Sequence, residues 1–160
     1  MLNNRLMPFI LGVLILLFDQ WTKYLVKTNL YYGESISIID GFFNLVFIKN
    51  DGAAWNIMSG QRLILVFISS LILLFLILKG NEFFSTKKIH RIAYGMLLGG
   101  ISGNLVDRIL TGKVIDFLDF QIGTYHYPSF NIADACICIA VFLYFITSKN
   151  NKKIFNEFNI

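Results

Sequence analysis

The chain reads as an all-α membrane protein, a four-transmembrane-helix bundle with a small extracytoplasmic β-sheet between helices 1 and 2. Three observations predict that class. Its 160 residues are 56% hydrophobic and only 15% charged, well outside the composition of a soluble domain. Four apolar segments, near residues 7–26, 62–79, 92–110 and 131–147, each approach the roughly 20 residues that a helix needs to cross a bilayer. The stretch 28–61 between the first two is patterned for strands instead. At this length residues 1–160 make a single integral-membrane domain.

The first segment follows Arg5 with Met7-Pro8-Phe9-Ile10 and could pass for a signal peptide as far as Phe18. Asp19-Gln20-Trp21-Thr22-Lys23 then stands where small cleavage-site residues are required, so the segment is expected to stay as an anchor. Within 28–61, Ser35-Ile36-Ser37-Ile38 alternates, Asn44 to Lys49 is strand-like and Asn50-Asp51-Gly52 signals a turn, which predicts a small antiparallel sheet on the outer membrane surface. In the third segment Gly95, Gly99 and Gly103 recur every four residues, a seam where another helix backbone can come close. Pro128-Ser129-Phe130 leads into the fourth, with Asn131 as its N-cap and Asp134 in its first turn. Cys136 and Cys138 point to nearly opposite sides of that helix, which argues against a disulfide or a shared metal and makes both packing residues. The Asn/Lys-rich tail from Lys149 reads as a frayed cytoplasmic end.

Charge sets the orientation. One side carries Arg5, Lys79, Lys87, Lys88, Arg91, Lys149, Lys152 and Lys153 against Glu82 and Glu157. The other carries six basic residues against eight acids, including Asp19, Asp51, Asp107, Asp116, Asp119 and Asp134. The positive-inside rule therefore places both termini in the cytoplasm and the acids at the outer face. The net charge of +4 is spread over loop ends and offers no nucleic-acid surface.

The acids carry the chemistry. Asp134 in a first turn complements the helix dipole, which is a structural role on its own account. Asp116, however, lies just beyond the outer end of the third segment, so two carboxylates share one depth. In a poorly solvated site such a pair retains one proton and titrates as a unit. Its ionised member can take a proton from water attacking a peptide carbonyl while the protonated member donates, as in aspartic proteases. Asn104, Asp107 and Arg108 share one helix face; they are either an ion pair of Asp107 with Arg108 or Lys113, or support for the dyad and grip on a substrate main chain. Asp19 and Lys23 form an i, i+4 acid-before-base pair. His90 is on the cytoplasmic side, His126 stands alone in a loop, and no metal-binding or serine-nucleophile motif is present. The alternative to an enzyme is a small proton-coupled transporter or channel component, which needs acids distributed through the depth of the membrane.

Five motifs in order complete the reading: Asp19-Gln20-Trp21-Thr22-Lys23, Asn50-Asp51-Gly52-Ala53-Ala54, Gly103-Asn104-Leu105-Val106-Asp107-Arg108, Val114-Ile115-Asp116-Phe117 and Phe130-Asn131-Ile132-Ala133-Asp134. With these the chain resembles the lipoprotein signal peptidase family, the bacterial type II signal peptidases. The resemblance implies an aspartic endopeptidase of the inner membrane that cuts diacylglyceryl-modified prolipoproteins on the amino side of the lipidated cysteine. It implies Asp116 and Asp134 as the catalytic dyad, and Asn104, Arg108 and Asn131 as holders of substrate main chain or of the dyad. Asn50 would reach in from the outer sheet with Gly52 and Ala53 beside it, and Asp19, Lys23 and Asp107 would give support. No metal or organic cofactor is implied; the partners are the prolipoprotein and membrane lipid, and the chain is expected to be monomeric. Trp55 stands where the family usually carries Phe, and Asp119 has no assigned role.

Overall fold

The computed structural model describes residues 5–84 and 87–148. Among the described residues four α-helices are present: α1 (Met7–Asn29), α2 (Arg62–Phe83), α3 (Lys88–Leu110) and α4 (Ile132–Ser148). By length and composition α1 and α2 suffice to cross a membrane, and α4 is a shorter apolar helix. Their outward side chains agree: Val13, Leu14 and Leu17 of α1, Leu63, Leu71 and Leu78 of α2, and Phe142 and Phe145 of α4 are all exposed, forming apolar surface on a scale that marks contact with lipid.

Helix α3 is the centre of the bundle, packed against α1, α4 and α2. It can be central because its glycines remove side chains where neighbours cross. A Cβ on Gly95 would stand 2.9 Å from the Pro8 carbonyl, and one on Gly99 2.7 Å from the Gly12 carbonyl. The expected seam is therefore a packing seam toward α1, while Gly103 lies against Asp19 and Ala133. Gly100, which the four-residue spacing passes over, does the same work toward α4. Its Cβ would fall 2.6 Å from the Ala133 carbonyl. Because that obstacle is backbone and cannot rotate away, Gly100→Ala is expected to lower stability by about 1–3 kcal/mol, read as a drop in melting temperature in detergent.

At the other end of the bundle Tyr94 stacks on Phe84 at 5.3 Å and donates its hydroxyl to the Leu76 carbonyl at 2.6 Å, locking α2 to α3. Lys87 Nζ reaches the Thr147 carbonyl at 3.0 Å and caps α4 there. The tail from Lys149 lies outside the described residues.

The sheet differs from expectation. It is not confined to the α1–α2 connection: β1 (Ser35–Ile39) and β2 (Phe43–Asn50) are joined by β3 (Val114–Ile122) and β4 (Tyr125–His126) from the α3–α4 connection, in the order β1-β2-β3-β4, antiparallel throughout. Val114-Ile115-Asp116-Phe117-Leu118 contains an acid, which hid the strand; buried residues, Val114 and Asp116 on one side and Phe117 on the other, fall on both of its sides, so clean alternation was never available as a signal. The β2–β3 register sets Ile48 opposite Asp116 and Asn50 opposite Val114. Val26 of α1 and Leu30 just after it pack with Phe47 and Phe117, fixing the sheet over the end of the bundle where α1 and α3 finish and α2 and α4 begin.

Candidate active site

Asp116 leaves β3 and Asp134 rises from the first turn of α4 into one cleft of about 970 Å³. Helix α4 begins as expected, with reciprocal bonds: Asp134 N–H donates to Asn131 Oδ1 at 3.0 Å, and Asn131 N–H donates to Asp134 Oδ2 at 3.2 Å. This is a capping pair built on Asn and Asp. Asp134 is thus both a cap and a member of the acidic pair.

Three asparagines hold the carboxylates, and in each the amide orientation follows from what its oxygen accepts. Asn131 Oδ1 is occupied by the Asp134 N–H, so its Nδ2 donates to Asp116 Oδ1 at 2.8 Å. Asn50 Oδ1 takes the Gly52 N–H at 2.9 Å, so its Nδ2 donates to Asp116 Oδ2 at 2.9 Å. Asn104 Oδ1 takes Lys23 Nζ at 3.1 Å, so its Nδ2 donates to Asp134 Oδ1 at 2.7 Å. Asn131 Nδ2 also lies 3.2 Å from Asn104 Oδ1, which joins the two carboxylates through one amide chain.

Burial, and next the neighbouring Asp134 charge, push the Asp116 carboxyl up to about 7 against the bonds from Asn50 and Asn131, which favour its ionised form. An acid raised on folding keeps, in the folded state, a proton that the unfolded chain releases. Stability therefore falls as pH rises from the ordinary value of 3.8 toward about 7. Wild type is expected to lose melting temperature relative to Asp116→Asn across about pH 4 to 8; a constant difference would remove this linkage.

Beneath the pair lies a buried ion triad. Lys23, 2% exposed, stands 2.8 Å from Asp19 Oδ2 and 2.9 Å from Asp107 Oδ2. The Asp19–Lys23 pair is as expected. Asp107 is corrected: it bonds to neither Arg108 nor Lys113 but crosses to α1, and its Oδ2 also accepts the Ile115 N–H at 3.4 Å beside Asp116. Asp19 Oδ1 accepts the Ala133 N–H at 2.9 Å, tying α1 to the start of α4. Gln20, which sequence reasoning missed, donates to Asp107 Oδ1 at 2.9 Å and to the Gly103 carbonyl at 3.1 Å. Its signal was a polar side chain inside an otherwise apolar helix.

Arg108 ties the third helix to the loop that follows β2. Its Nη2 donates to the Gly52 carbonyl at 2.8 Å, while its charge faces Asp134 and Asp116. Gly52 is required there, because a Cβ would meet the Asn56 and Ile57 backbone at 2.8 Å. The loop continues through Ala53, whose N–H donates to the Ile57 carbonyl at 2.7 Å, and through Trp55, Asn56 and Met58, all at positive φ. Trp55 meets Tyr127 edge to face at 6.5 Å across the cleft.

Two further expectations change. His126 is not alone: it sits on β4 with Nδ1 3.0 Å from Asp119 Oδ2, and Asn44 Nδ2 donates to the same oxygen at 2.9 Å. Asp119 thus pins the sheet and lies apart from the dyad cleft. Cys138 is exposed and lines the cleft, and only Cys136 is partly buried. Among the described residues no group of three His, Cys, Asp or Glu side chains is placed to hold a metal ion.

Comparison with known proteins places the chain in a family. The family described as signal peptidase (SPase) II matches residues 11–149. The chain is 40% identical to a lipoprotein signal peptidase of Francisella tularensis subsp. novicida, over 96% of this chain and 98% of that one. It is 37% identical to one of Bacillus pumilus, over 86% and 89%. A bacterial membrane enzyme solved by the in meso method at 2.3 Å superposes with a TM-score of 0.79 at 36% identity, covering 91% of each chain. A second, solved at 1.9 Å, gives 0.74 at 35% identity. These findings leave the transporter alternative without support. The chain belongs to the signal peptidase II family of aspartic peptidases.

Proposed function

We propose that this chain removes signal peptides from diacylglyceryl-modified prolipoproteins, cutting on the amino side of the lipidated cysteine, with Asp116 and Asp134 as its catalytic pair. The observation that carries the reading is the convergence of both carboxylates, through Asn104 and Asn131, on one cleft. The pair holds one proton near neutrality. Its ionised member takes a proton from water as the oxygen attacks the peptide carbonyl; its protonated member donates to the oxyanion and then to the departing amine. Arg108, beside both carboxylates, supplies positive charge where the oxyanion forms.

The substrate's signal segment is helical in lipid, and its peptide bond must be extended locally before attack. The cleft suits this, running from the loop at Ala53 and Trp55 along Ala135 and Cys138 of α4. All four helices cross a bacterial inner membrane, both termini are cytoplasmic, and the dyad faces outward. The chain works as a monomer with no cofactor, its partners being the prolipoprotein and surrounding lipid.

The test is cleavage of a lipidated prolipoprotein peptide by the purified protein, with the cut mapped by mass spectrometry. Cleavage is expected immediately before the lipidated cysteine, unaffected by EDTA, and at least tenfold slower on the peptide lacking its diacylglyceryl group. Loss of activity with EDTA, or a cut elsewhere, would overturn it.

A further inference from the structure

Strands β2 and β3 have two faces, and the dyad uses one. Val114 and Asp116 line the cleft. The alternate residues Lys113 and Ile115 line a second pocket of about 420 Å³ with Lys27, Tyr32, Lys49 and Thr111, Lys49 standing at the boundary and lining both. Three lysines, from α1, β2 and the turn just before β3, therefore converge, and the register explains it: Lys49 stands opposite Ile115 in the ladder.

The other cations at this end of the bundle are engaged elsewhere. Lys23 is buried between Asp19 and Asp107, Arg108 holds the Gly52 carbonyl, and Arg62 donates to the carbonyls of Arg108 and Ile109 at 2.8 Å. Asp51, which lines the dyad cleft, lies 3.5 Å from Lys113 Nζ, and Lys27 in the last turn of α1 complements that helix's carbonyl end. Lys49 Nζ rests over the rings of Tyr32 and Phe47 at 5.4 and 5.5 Å. One carboxylate against three ammonium groups leaves the pocket positive.

We propose that this pocket binds the phosphate of an anionic phospholipid in the outer leaflet. Lysine ammonium groups are point charges suited to a phosphate. Lipid is favoured over a soluble anion because the pocket lies where α1 and α3 end, with Ile115 in its wall. Exposed Tyr24, Leu25 and Leu110 on those same helix ends offer apolar surface for acyl chains. A headgroup here braces β3 from the face opposite Asp116. The inference rests on the membrane placement proposed above.

Native mass spectrometry of the purified protein in neutral detergent, titrated with phosphatidylglycerol, phosphatidylcholine or inorganic phosphate, tests it. Wild type is expected to retain phosphatidylglycerol in preference to phosphatidylcholine. Lys27→Gln/Lys49→Gln should bind it about thirty-fold more weakly and Lys49→Gln alone about fivefold, at about 1 kcal/mol per lysine near an anionic surface. Lys27→Arg/Lys49→Arg should restore retention. Equal retention of both lipids, equal retention by wild type and the Gln variants, or displacement of phosphatidylglycerol by equimolar inorganic phosphate would each overturn the proposal. Cleavage of the prolipoprotein peptide is followed in the same preparations. Lipid preference without any cleavage by wild type would strike the peptidase reading and leave the lipid site standing.

Discussion

Asp116→Asn and Asp134→Asn are each expected to give a folded protein that cuts a lipidated prolipoprotein peptide about 10⁴-fold more slowly than wild type. An amide matches a carboxyl in size, so the helices and the sheet have no reason to move. It cannot hold or release the proton that the pair exchanges with water and with the leaving amine. The two changes remove one function, so the double variant should be no slower than either single variant. At both positions the amide meets a further conflict, because both carboxylate oxygens accept N–H groups, those of Asp116 from Asn131 and Asn50 and those of Asp134 from Asn104 and the Asn131 backbone. One of those donors then faces another donor. Initial rates on purified variants, beside melting temperatures that report folding, separate loss of chemistry from loss of structure. Activity within about tenfold of wild type in either single variant would exclude the pair as acid and base.

How much of this was legible in the sequence depends on what each residue's neighbours are. The α4 cap was legible because Asn131 and Asp134 are three apart and satisfy each other locally. The glycine seam was legible because its four-residue spacing belongs to one helix. Strand β3 was not, since buried residues fall on both of its faces and its partner β2 lies some 70 residues earlier. For Asp107 the sequence offers only neighbouring cations, Arg108 or Lys113, as ion-pair partners, whereas its cation, Lys23, comes from a different helix. The same limit hid Gln20 and the Asp119–His126 contact. Site residues could be found by type and motif; the partner each one takes is a tertiary property.

That partner choice makes Lys23 the residue whose loss should cost the fold most. Its ammonium lies between two carboxylates with no solvent to replace it, Asp19 being fully buried. Lys23→Met leaves two buried charges without a counterion and is expected to destabilise the protein by about 3–5 kcal/mol, seen as a collapse in yield and melting temperature. The dyad should suffer as well, because Asn104 Oδ1 loses the donor that turns its Nδ2 toward Asp134. A cycle with Asp107→Asn distinguishes an ion triad from mere packing. If the penalty is uncompensated charge, neutralising Asp107 in the Lys23→Met background returns part of the lost stability, although the same change weakens wild type. Strict additivity of the two losses would instead mean that Lys23 acts through its aliphatic stem, and the electrostatic account of this layer beneath the active site would fall.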